Sequence, residues 1–484
     1  MASARKPNVI LIVADDLGYG DIGAFNEGRV ATPNLDRLVS EGVTCRQHYA
    51  ASPICAPSRA ALLTGRYNHR TGAITQHEIH GLDRIALREV TLADRFRHAG
   101  YATGLVGKWH NGTFDRRYEP NARGFQEFVG FCGGWVDYYD YTLRVDDGIR
   151  RSDGRYMTDV LTEEALGFVE RHKREPFFLH LAYSAPHSPF QAPAGMAEPH
   201  LEKGLNRIVA TTYAMIERMD EGIGRLLDRL DAEGLAEQTI VLFTSDNGPA
   251  FFNPPYMLEP GEDTFNERFN AGLRGSKGWI YEGGIRVPML LRYSERVPAG
   301  STNDDLIQFV DWVPTLMRLA GLAPMDAPPL DGSDVSACLM GEPADLPDQQ
   351  FWQWNFYMPC IGTNAAMRDG SWKLIRPMMK GTRFFSPELY ATPDDAALAK
   401  AFVAADIAHK RDPSSIRELV PVPRIRLPAP EPLELYDLAS DPGEQHDLAA
   451  QHPDRVARMQ ARLEDWFDRV EADRRTTAEA AAVA

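Results

Sequence analysis

The sequence predicts an α/β protein built on a doubly wound parallel sheet, followed by a smaller α+β region with an antiparallel sheet. Three observations lead to this prediction. Residues 8–14 form an unbroken apolar run rich in β-branched side chains, which is typical of a strand buried on both faces. Similar runs alternate with amphipathic helical stretches as far as residue 319. After Gly341 the predicted strands become short and aromatic, and no longer alternate with helices.

Capping and breaking residues set the predicted bounds of these elements. Thr32 opens a helix that Gly42 ends, and Thr91 opens one that closes at Gly100. Pro176 stops the helix predicted over 156–173. The remaining predicted helices of this half span 205–232 and 304–319, and the predicted strands span 8–14, 101–106, 177–183, 239–244 and 283–291.

The change of pattern divides the chain into two predicted domains, residues 1–345 and 346–484. In the second, we predict strands over 351–357, 365–377 and 433–438, and a terminal amphipathic helix over 452–475. An insert interrupts this pattern at residues 382–431. Four prolines between Pro421 and Pro430 predict that the end of the insert is extended rather than helical.

The overall charge limits the possible partners. The formal net charge is −16, which argues against a general nucleic-acid binder or a protein of anionic membrane surfaces. An anionic substrate would therefore need a local cationic cluster, for which Arg116, Arg117 and Arg123 are candidates alongside a simpler role as solvated loop residues.

Cysteine usage and the first apolar run bear on the compartment. The five cysteines are scattered without Cys-x-x-Cys spacing, so we expect neither a disulfide framework nor a thiolate zinc site. The run at residues 9–14 is too short for a signal-peptide core or a membrane span. We expect a cytoplasmic protein with no membrane partner, or a periplasmic one if a signal peptide has been removed.

The stretch from Ser52 to Arg66 carries the most specific signal. Pro57 suits the start of a short helix that Gly65 would end, which places Cys55 at or just before the helix N-terminus. Unpaired backbone N–H groups there favour a thiolate or a bound anion. Arg59 lies four residues on and can share a face with Cys55.

Polar residues follow several predicted strands, at the edge of an α/β sheet where ligands bind. Hard oxygen donors follow two of them, and such donors favour Ca²⁺ or Mg²⁺ over zinc. Lysines and histidines follow others and offer cationic and acid–base groups. The donors are Asp15, Asp16, Asp246 and Asn247, and the second group is Lys108, His110, His187 and Lys277.

These residues carry a resemblance to a known family. The run Cys55-Ala56-Pro57-Ser58-Arg59, followed by Leu63-Thr64-Gly65-Arg66, resembles the signature of the formylglycine-dependent (type I) sulfatases. The other motifs are similar to those of the family in the same order along nearly the whole chain. They are Asp15-Asp16, Gly107-Lys108-Trp109-His110, Pro186-His187, Asp246-Asn247-Gly248, Lys277 before Glu282-Gly283-Gly284, and Leu435 to Pro442.

The resemblance implies an alkaline-phosphatase-like α/β/α sandwich, with a catalytic domain at 1–345 and a C-terminal subdomain at 346–484. It implies one Ca²⁺ per chain, with Mg²⁺ possible, held by Asp15, Asp16, Asp246, Asn247 and the side chain at position 55. That side chain would be formylglycine made from Cys55 by a formylglycine-generating enzyme, a transient partner.

The implied mechanism gives each matched residue a role. A hydroxyl of the hydrated aldehyde, activated by the metal and Arg59, would attack sulfur. Lys108 and Lys277 would stabilise the sulfuryl oxygens, and His187 would protonate the leaving alcohol. His110 would then help the second hydroxyl to expel sulfate.

We therefore predict a sulfatase that hydrolyses aryl sulfates in vitro, with sulfated carbohydrates as its natural substrates and a homo-oligomer as its assembly. The least familiar segments, 113–155, 249–272 and 382–431, would shape the choice of substrate; the rings of Phe125 to Tyr141 would be divided between the core and a sugar or aryl ring. The alternative is a formylglycine-dependent phosphonate or phosphate monoester hydrolase. A catalytically silent calcium-binding protein is a third reading, which nothing favours.

Overall fold

The computed structural model describes residues 6–382, 389–411 and 419–477. The strands are β1 (Asn8–Ala14), β2 (Val43–Cys45), β3 (His48–Tyr49), β4 (Ala102–Lys108), β5 (Glu127–Phe131), β6 (Thr142–Val145), β7 (Gly148–Arg151), β8 (Phe177–Ala182), β9 (Thr239–Ser245), β10 (Met289–Arg292), β11 (Ser301–Asn303), β12 (Ile307–Gln308), β13 (Gln349–Gln353), β14 (Ala365–Asp369), β15 (Trp372–Arg376) and β16 (Glu434–Asp437). The helices are α1 (Pro33–Glu41), α2 (Cys55–Thr64), α3 (Leu92–His98), α4 (Met157–His172), α5 (Glu198–Glu202), α6 (Arg207–Ala232), α7 (Glu282–Ile285), α8 (Trp312–Leu319), α9 (Ser336–Leu339), α10 (Pro393–Arg411) and α11 (Pro453–Arg474).

A large mixed sheet organises the described part of the chain. Its ten strands follow the order β11-β2-β10-β9-β1-β8-β4-β5-β6-β7. The central strands β9, β1, β8 and β4 are parallel, as the sequence predicts. Strand β5, which the sequence does not predict, is parallel to β4, and β10 runs antiparallel to β9. Because parallel neighbours end at the same edge, the residues that follow β1, β4, β8 and β9 are brought together there.

The central strand β1 shows why the sheet has helices on both faces. Its side chains alternate between two separate hydrophobic cores, with Val9, Leu11 and Val13 in one core and Ile10 and Ile12 in the other. Helices α2, α3 and α8 contribute to the first core, and α1, α4 and α6 to the second. The apolar run of β1 is continuous because both of its faces are buried, and the predicted α/β/α sandwich is confirmed.

Two predicted elements of the first half are partly wrong. The strand predicted over 283–291 is instead one helical turn, α7, followed by a short strand, β10. The Arg286 N–H donates to Glu282 O in this turn, and Pro288, which has no N–H, separates it from the strand. The helix predicted over 304–319 begins only at Trp312, because Ile307 and Gln308 pair with β3.

A separate four-stranded antiparallel sheet, β13-β14-β15-β16, lies in the C-terminal part, as predicted. The stretch predicted as a strand over 365–377 is a hairpin of β14 and β15, and α11 matches the predicted terminal helix. The insert at 382–431 contains helix α10, while its proline-rich end is non-helical, as predicted. The domain boundary between residues 345 and 346 stays a prediction.

A buried group of charges, which we call the junction cluster, links α7 and β3 to the small antiparallel sheet. It consists of Glu282 of α7, Lys373 of β15, Glu444 after β16, and the neighbouring Tyr49 and Arg368. The Lys373 ammonium lies 2.9 Å from a Glu282 carboxylate oxygen and 2.8 Å from a Glu444 carboxylate oxygen. The Tyr49 hydroxyl donates to Glu282 at 2.7 Å and accepts from Arg368 at 2.8 Å.

The helices of the described residues include none with the length and apolar character that crossing a bilayer requires.

Candidate active site

Cys55 is the first residue of helix α2, two residues before the predicted helix start at Pro57. The helix ends where Gly65 adopts a left-handed conformation with φ +70°, and a Cβ there would lie 2.8 Å from Val313. Cys55 is 2% exposed and lines the floor of a cleft of about 170 Å³. The unpaired N–H groups of the first turn of α2 therefore favour negative charge at position 55.

The ends of β1 and β9 meet beside this helix. Ala14 and Ser245 are in register, so Asp15 and Asp16 emerge next to Asp246 and Asn247. The backbone N–H of Asp16 donates to Asp246 Oδ1 at 3.2 Å, and the Asn247 side-chain amide donates to Asp16 Oδ1 at 2.8 Å. The structure thus brings together the four oxygen donors that the sequence selects.

Two oxygens of this group are left without a protein partner. Asp15 Oδ1 and Asn247 Oδ1 are buried and accept no hydrogen bond from any described residue. Burying such oxygens is costly unless a ligand satisfies them. Ligand atoms of Asp15, Asp16 and His187 lie within 4.8 Å of one another. An oxygen-rich donor set with unsatisfied oxygens fits a hard divalent cation.

Three cationic side chains face the three aspartates. The Lys108 ammonium donates to Asp15 at 2.6 Å, the Lys277 ammonium donates to Asp16 at 2.9 Å, and Arg59 Nε donates to Asp246 at 2.8 Å. Lys108 and Arg59 are buried, and the Lys277 side chain is 17% exposed. The sequence-predicted cations therefore all lie at this edge of the sheet, next to the candidate metal ligands.

Burial and neighbouring charges give the two adjacent aspartates different proton affinities. Burial raises the pKa of Asp15 well above its usual range, with Asp246 and Asp16 adding to the effect and Lys108 opposing it. Burial acts the same way on Asp16, but the Lys277 and His187 side chains outweigh it and lower the pKa of that carboxyl. A bound cation would favour the ionised form of both.

Position 55 is a site for an anion. Burial alone would raise the pKa of the Cys55 thiol, but the charges of Lys108, His110 and Lys277 lower it to about 6. His110 has a positive φ of 52° and its Nε2 lies 2.9 Å from the Gln76 carbonyl and 3.6 Å from Glu78. Burial lowers the pKa of His110, yet the Cys55 thiolate and Glu78 raise it to about 9.

His187 follows β8 and is positioned by its own loop. Its Nδ1 lies 2.6 Å from the Ser188 carbonyl, which requires the proton on Nδ1. Its Nε2 lies 3.6 Å from Asp16 Oδ2. Burial, Lys277 and Lys108 hold the pKa of His187 well below its usual value. The imidazole is therefore neutral when position 55 is a cysteine and the cleft holds no substrate. In that state Nε2 can accept a proton or bind a cation.

The three segments that are least familiar in the sequence each contribute to the walls of the cleft. Residues 113–155 supply Trp135, residues 249–272 supply Phe252 and Tyr256, and the insert supplies Phe402 and Asp406 on α10. Of the rings predicted to be divided between core and cleft, Tyr138 and Tyr141 are buried in the core, whereas Trp135 lines the cleft.

Some residues of the cleft were not found by sequence reasoning. Gln76, His77 and Glu78 lie in the loop between α2 and α3, which has no periodic pattern, and Asp406 lies in the insert. The prediction that Arg116, Arg117 and Arg123 form a cationic cluster for an anionic substrate is wrong, because these arginines are not among the residues that line the cleft. Arg116 and Arg117 pair with Asp147 and Asp115, and Arg123 is buried against the Ala86 and Glu89 carbonyls.

Comparison with known proteins agrees with this geometry. The family model described as Sulfatase matches residues 7–322, and the model described as N-sulphoglucosamine sulphohydrolase, C-terminal, matches residues 275–406. Arylsulfatase H from Homo sapiens is 30% identical over 441 residues, which cover 72% of this chain and 75% of that protein. N-acetylgalactosamine-6-sulfatase from Canis lupus familiaris is 34% identical over 366 residues, with 70% and 66% covered.

Solved structures share the whole architecture. The crystal structure of Ps i-CgsB in complex with k-i-k-neocarrahexaose superposes with a TM-score of 0.75 at 28% identity, covering 96% of this chain and 93% of that one. A phosphonate monoester hydrolase from Silicibacter pomeroyi has the same fold, with a TM-score of 0.64, 19% identity and 96% of each chain covered. The chain belongs to the sulfatase family of sulfuric ester hydrolases.

Proposed function

We propose that this chain hydrolyses the sulfate monoesters of carbohydrates through a formylglycine made from Cys55. The observation that carries the proposal is the position of Cys55, which is the first residue of α2 and lies on the cleft floor among Lys108, His110 and Lys277. A formylglycine-generating enzyme would be the transient partner that oxidises the side chain. The aldehyde, once hydrated, supplies the oxygen nucleophile that a thiol cannot.

We further propose one Ca²⁺ per chain, with Mg²⁺ as the alternative. Asp15, Asp16, Asp246 and Asn247 would hold it together with the side chain at position 55, and His187 lies close enough to Asp15 and Asp16 to be weighed as a further ligand. The bound cation would act as a Lewis acid toward the sulfate oxygens. The charges of the three aspartates and of the three cationic side chains that face them cancel by formal count. The positive charge of the cation then remains to attract the ester, which suits a sulfate monoanion.

The other side chains bind and exchange protons around the ester. Lys108 and Lys277 are fixed by Asp15 and Asp16, so they can stabilise charge on the sulfuryl oxygens without reorganising. Arg59 is held by Asp246 beside position 55. His187 would deliver a proton from Nε2 to the leaving alcohol, and the negative charge of the ester would raise the pKa of this neutral histidine to make that possible.

Conversion of Cys55 also prepares His110 for its role. In the cysteine form the thiolate raises the pKa of His110 to about 9, which keeps it protonated. An uncharged formylglycine would remove that negative charge, so the pKa of His110 would fall toward the range of a general base. Glu78 and the Gln76 carbonyl would continue to orient the ring.

The carbohydrate assignment rests on relatives and on the cleft. N-acetylgalactosamine-6-sulfatase and the structure of Ps i-CgsB in complex with k-i-k-neocarrahexaose are among the similar proteins. The aromatic walls, with Trp135, Trp354 and Tyr256, offer surfaces for the apolar faces of sugar rings.

Two measurements test the mechanism. The protein is produced with a formylglycine-generating enzyme, and the mass of the peptide that carries position 55 is compared with the rate of nitrophenyl sulfate hydrolysis. We expect activity to rise in proportion to the aldehyde form and to vanish in Cys55→Ala, while Cys360→Ala, which changes a cysteine outside the cleft, stays active. A fully active sample that holds only thiol at position 55 would refute the proposal.

The phosphonate reading is tested in the same assay. Nitrophenyl sulfate, an aryl phosphate and an aryl phosphonate are compared at matched concentrations. A higher kcat/KM for the sulfate supports the sulfatase assignment, and a higher value for the phosphonate would move it to the alternative.

A further inference from the structure

The walls of the active-site cleft are acidic and aromatic. Glu78 and Asp406 line it beyond the candidate metal ligands, together with the rings of the three wall segments. Among the described residues, Lys277 is the one lysine or arginine that lines the cleft, and it is bound to Asp16 beside position 55. The positive charge of Lys277, and of His110 when it is protonated, therefore lies on the floor, where the sulfate group would bind. The carboxylates of Asp406 and Glu78 lie on the walls, toward which the leaving group would extend.

Asp406 is held in the cleft wall rather than on a mobile surface. The residue is 6% exposed, and Trp135 Nε1 donates to its Oδ2 at 3.1 Å. Phe402 lies one helical turn earlier on α10, lines the same cleft and stacks on His80 with ring centroids 5.0 Å apart. One face of α10 thus presents a ring and a carboxylate to the cleft.

Glu78 adds a second carboxylate at a fixed position. Its Oε1 accepts from the Gly134 N–H at 3.1 Å, and its Oε2 faces His110 at 3.6 Å. The loop that carries Glu78 and the segment that carries Trp135 are thereby joined on one side of the cleft. The two carboxylates come from different parts of the chain and converge on the same cavity.

We propose that the cleft selects sulfate esters whose leaving group carries no second negative charge, that is, singly sulfated sugars that are otherwise neutral or bear an amine. This inference rests on the proposed function and adds the class of leaving group. A second sulfate or a carboxylate would lie near Asp406 and Glu78 in a partly desolvated cleft, where like charges repel strongly. Hydroxyl or ammonium groups would instead donate hydrogen bonds to these carboxylates.

The first experiment compares three esters that share one sugar and one scissile sulfate. The first is otherwise neutral, the second carries a second sulfate, and the third carries an amine in place of a hydroxyl. Sulfate release gives kcat/KM for each. We expect the doubly sulfated ester to be slower than the neutral one by about tenfold or more, and the amine to be at least as fast as the neutral ester.

The second experiment assigns this selectivity to the cleft wall. Asp406→Asn keeps an acceptor for Trp135 but removes the charge, so we expect the ratio between the neutral and doubly sulfated esters to narrow by about threefold to tenfold. Asp394→Asn removes the same charge from an exposed position on the same helix and serves as the matched control, with an unchanged ratio. A purely structural role of Asp406 would lower both rates together and leave the ratio unchanged.

The outcomes separate this inference from the proposed function. If the wild-type protein hydrolyses nitrophenyl sulfate but prefers the doubly sulfated sugar, or if Asp406→Asn leaves the ratio unchanged, the inference is wrong and the sulfatase mechanism stands. If protein that carries formylglycine and Ca²⁺ hydrolyses none of the esters, the proposed function fails and the inference fails with it.

Discussion

Two of the groups of buried charges in the described part of the chain differ in how completely the protein satisfies their polar atoms. The active-site group contains three aspartates and three cationic side chains at the carboxyl edge of the large sheet. The junction cluster contains two glutamates and their cationic partners between α7 and the small antiparallel sheet. Most members of both groups are nearly inaccessible to solvent, so burial alone does not distinguish them.

The junction cluster is closed for its carboxylates: each of their oxygens faces a protein group, although Glu444 Oε1 meets Lys373 as an ion pair at 2.8 Å without a hydrogen bond. Arg368 Nε has no hydrogen-bond partner among the described residues. Glu282 accepts from Lys373 and from the Tyr49 hydroxyl, and Glu444 pairs with Lys373 and accepts from the Glu282 backbone N–H at 2.7 Å. None of these five residues is among the described residues that line the active-site cleft. The active-site group, in contrast, leaves Asp15 Oδ1 and Asn247 Oδ1 without a protein partner and opens into the cleft beside Cys55.

Unsatisfied buried oxygens, rather than buried charges as such, mark the chemical site. A buried ion pair whose partners are all protein groups holds a fold together, or at least fixes the relative positions of its elements. Buried oxygens that no protein donor reaches indicate a ligand that the chain itself does not supply. Loss of the bound cation should therefore abolish activity at the active-site group. Loss of a charged side chain should reduce the stability of the fold at the junction cluster.

The largest expected effect is metal removal. A chelator should reduce the hydrolysis of nitrophenyl sulfate by about a thousandfold or more, because the aspartates would lose the cation that acts on the ester. Ca²⁺ should restore the rate, and calorimetry should detect one binding event per chain that Asp15→Asn abolishes. Full activity in protein shown by atomic spectroscopy to be free of divalent metal would contradict the comparison.

Replacing the cation of the junction cluster should act on stability instead. Lys373→Met leaves Glu282 and Glu444 buried together without their shared partner, so we expect a loss of about 3–5 kcal/mol in the free energy of unfolding. Urea unfolding measures it, and Lys380→Met, whose side chain is 90% exposed, is the control. Ca²⁺ binding by the folded variant should be retained. If Lys373→Met abolished Ca²⁺ binding while the free energy of unfolding stayed the same, the assignment of a structural role to the junction cluster and a chemical role to the active-site group would be wrong.

The large sheet was predictable from the sequence because its central strands are buried on both faces. A continuous apolar run such as residues 8–14 can be read without knowing its neighbours, and the polar residues after such runs then meet at one edge. The closeness of Cys55 to Asp15 and Asp246 follows from this rule and from the family motif. The strand patterns and the motif are each local in the sequence, and the parallel arrangement of the strands brings their residues together.

The parts that the sequence did not reveal depend on distant partners. Lys373 and Glu282 are 91 residues apart, and neither lies in a pattern that predicts burial of a charge. The strand predicted just after Glu282, over 283–291, rests on the apolar residues up to Leu291, whereas Pro288 and the contacts of α7 produce a helical turn. Asp406 and Glu78 come from an insert and a loop, where only the folded chain shows that they meet.

A smaller effect tests the role of His187 within the active-site group. His187→Asn should slow the hydrolysis of a sugar sulfate by about a hundredfold, because its alkoxide leaving group needs a proton, and should slow nitrophenyl sulfate less. The kcat for both esters and the affinity for Ca²⁺ would be measured. Equal losses for both esters together with weaker Ca²⁺ binding would show instead that His187 is a metal ligand, which its distance from Asp16 also allows.

The smallest expected effect is the pH dependence of the junction cluster. Burial, together with the nearby Glu282, raises the pKa of Glu444 to about 7, although Lys373 opposes it. A carboxyl with a raised folded-state pKa stabilises the fold when protonated, so this contribution is present below the unfolded-state value of 4.5 and is lost as pH rises toward about 7. The pKa of Glu282 is lowered, so its contribution to stability is lost as pH falls rather than as pH rises. That loss occurs only at pH values below the ordinary pKa of a glutamate.

Glu444→Gln should therefore remove the decline in stability across this window. The glutamine still accepts from the Glu282 N–H but cannot ionise, so relative to the wild type the variant should be more stable at about pH 8 than at about pH 5, by about 1–3 kcal/mol. Urea unfolding at both pH values measures the difference, with the exposed Glu342→Gln as the control. A difference of the same size in both variants would mean that Glu444 titrates like a surface carboxyl. The junction cluster would then not be the closed group that its contacts describe.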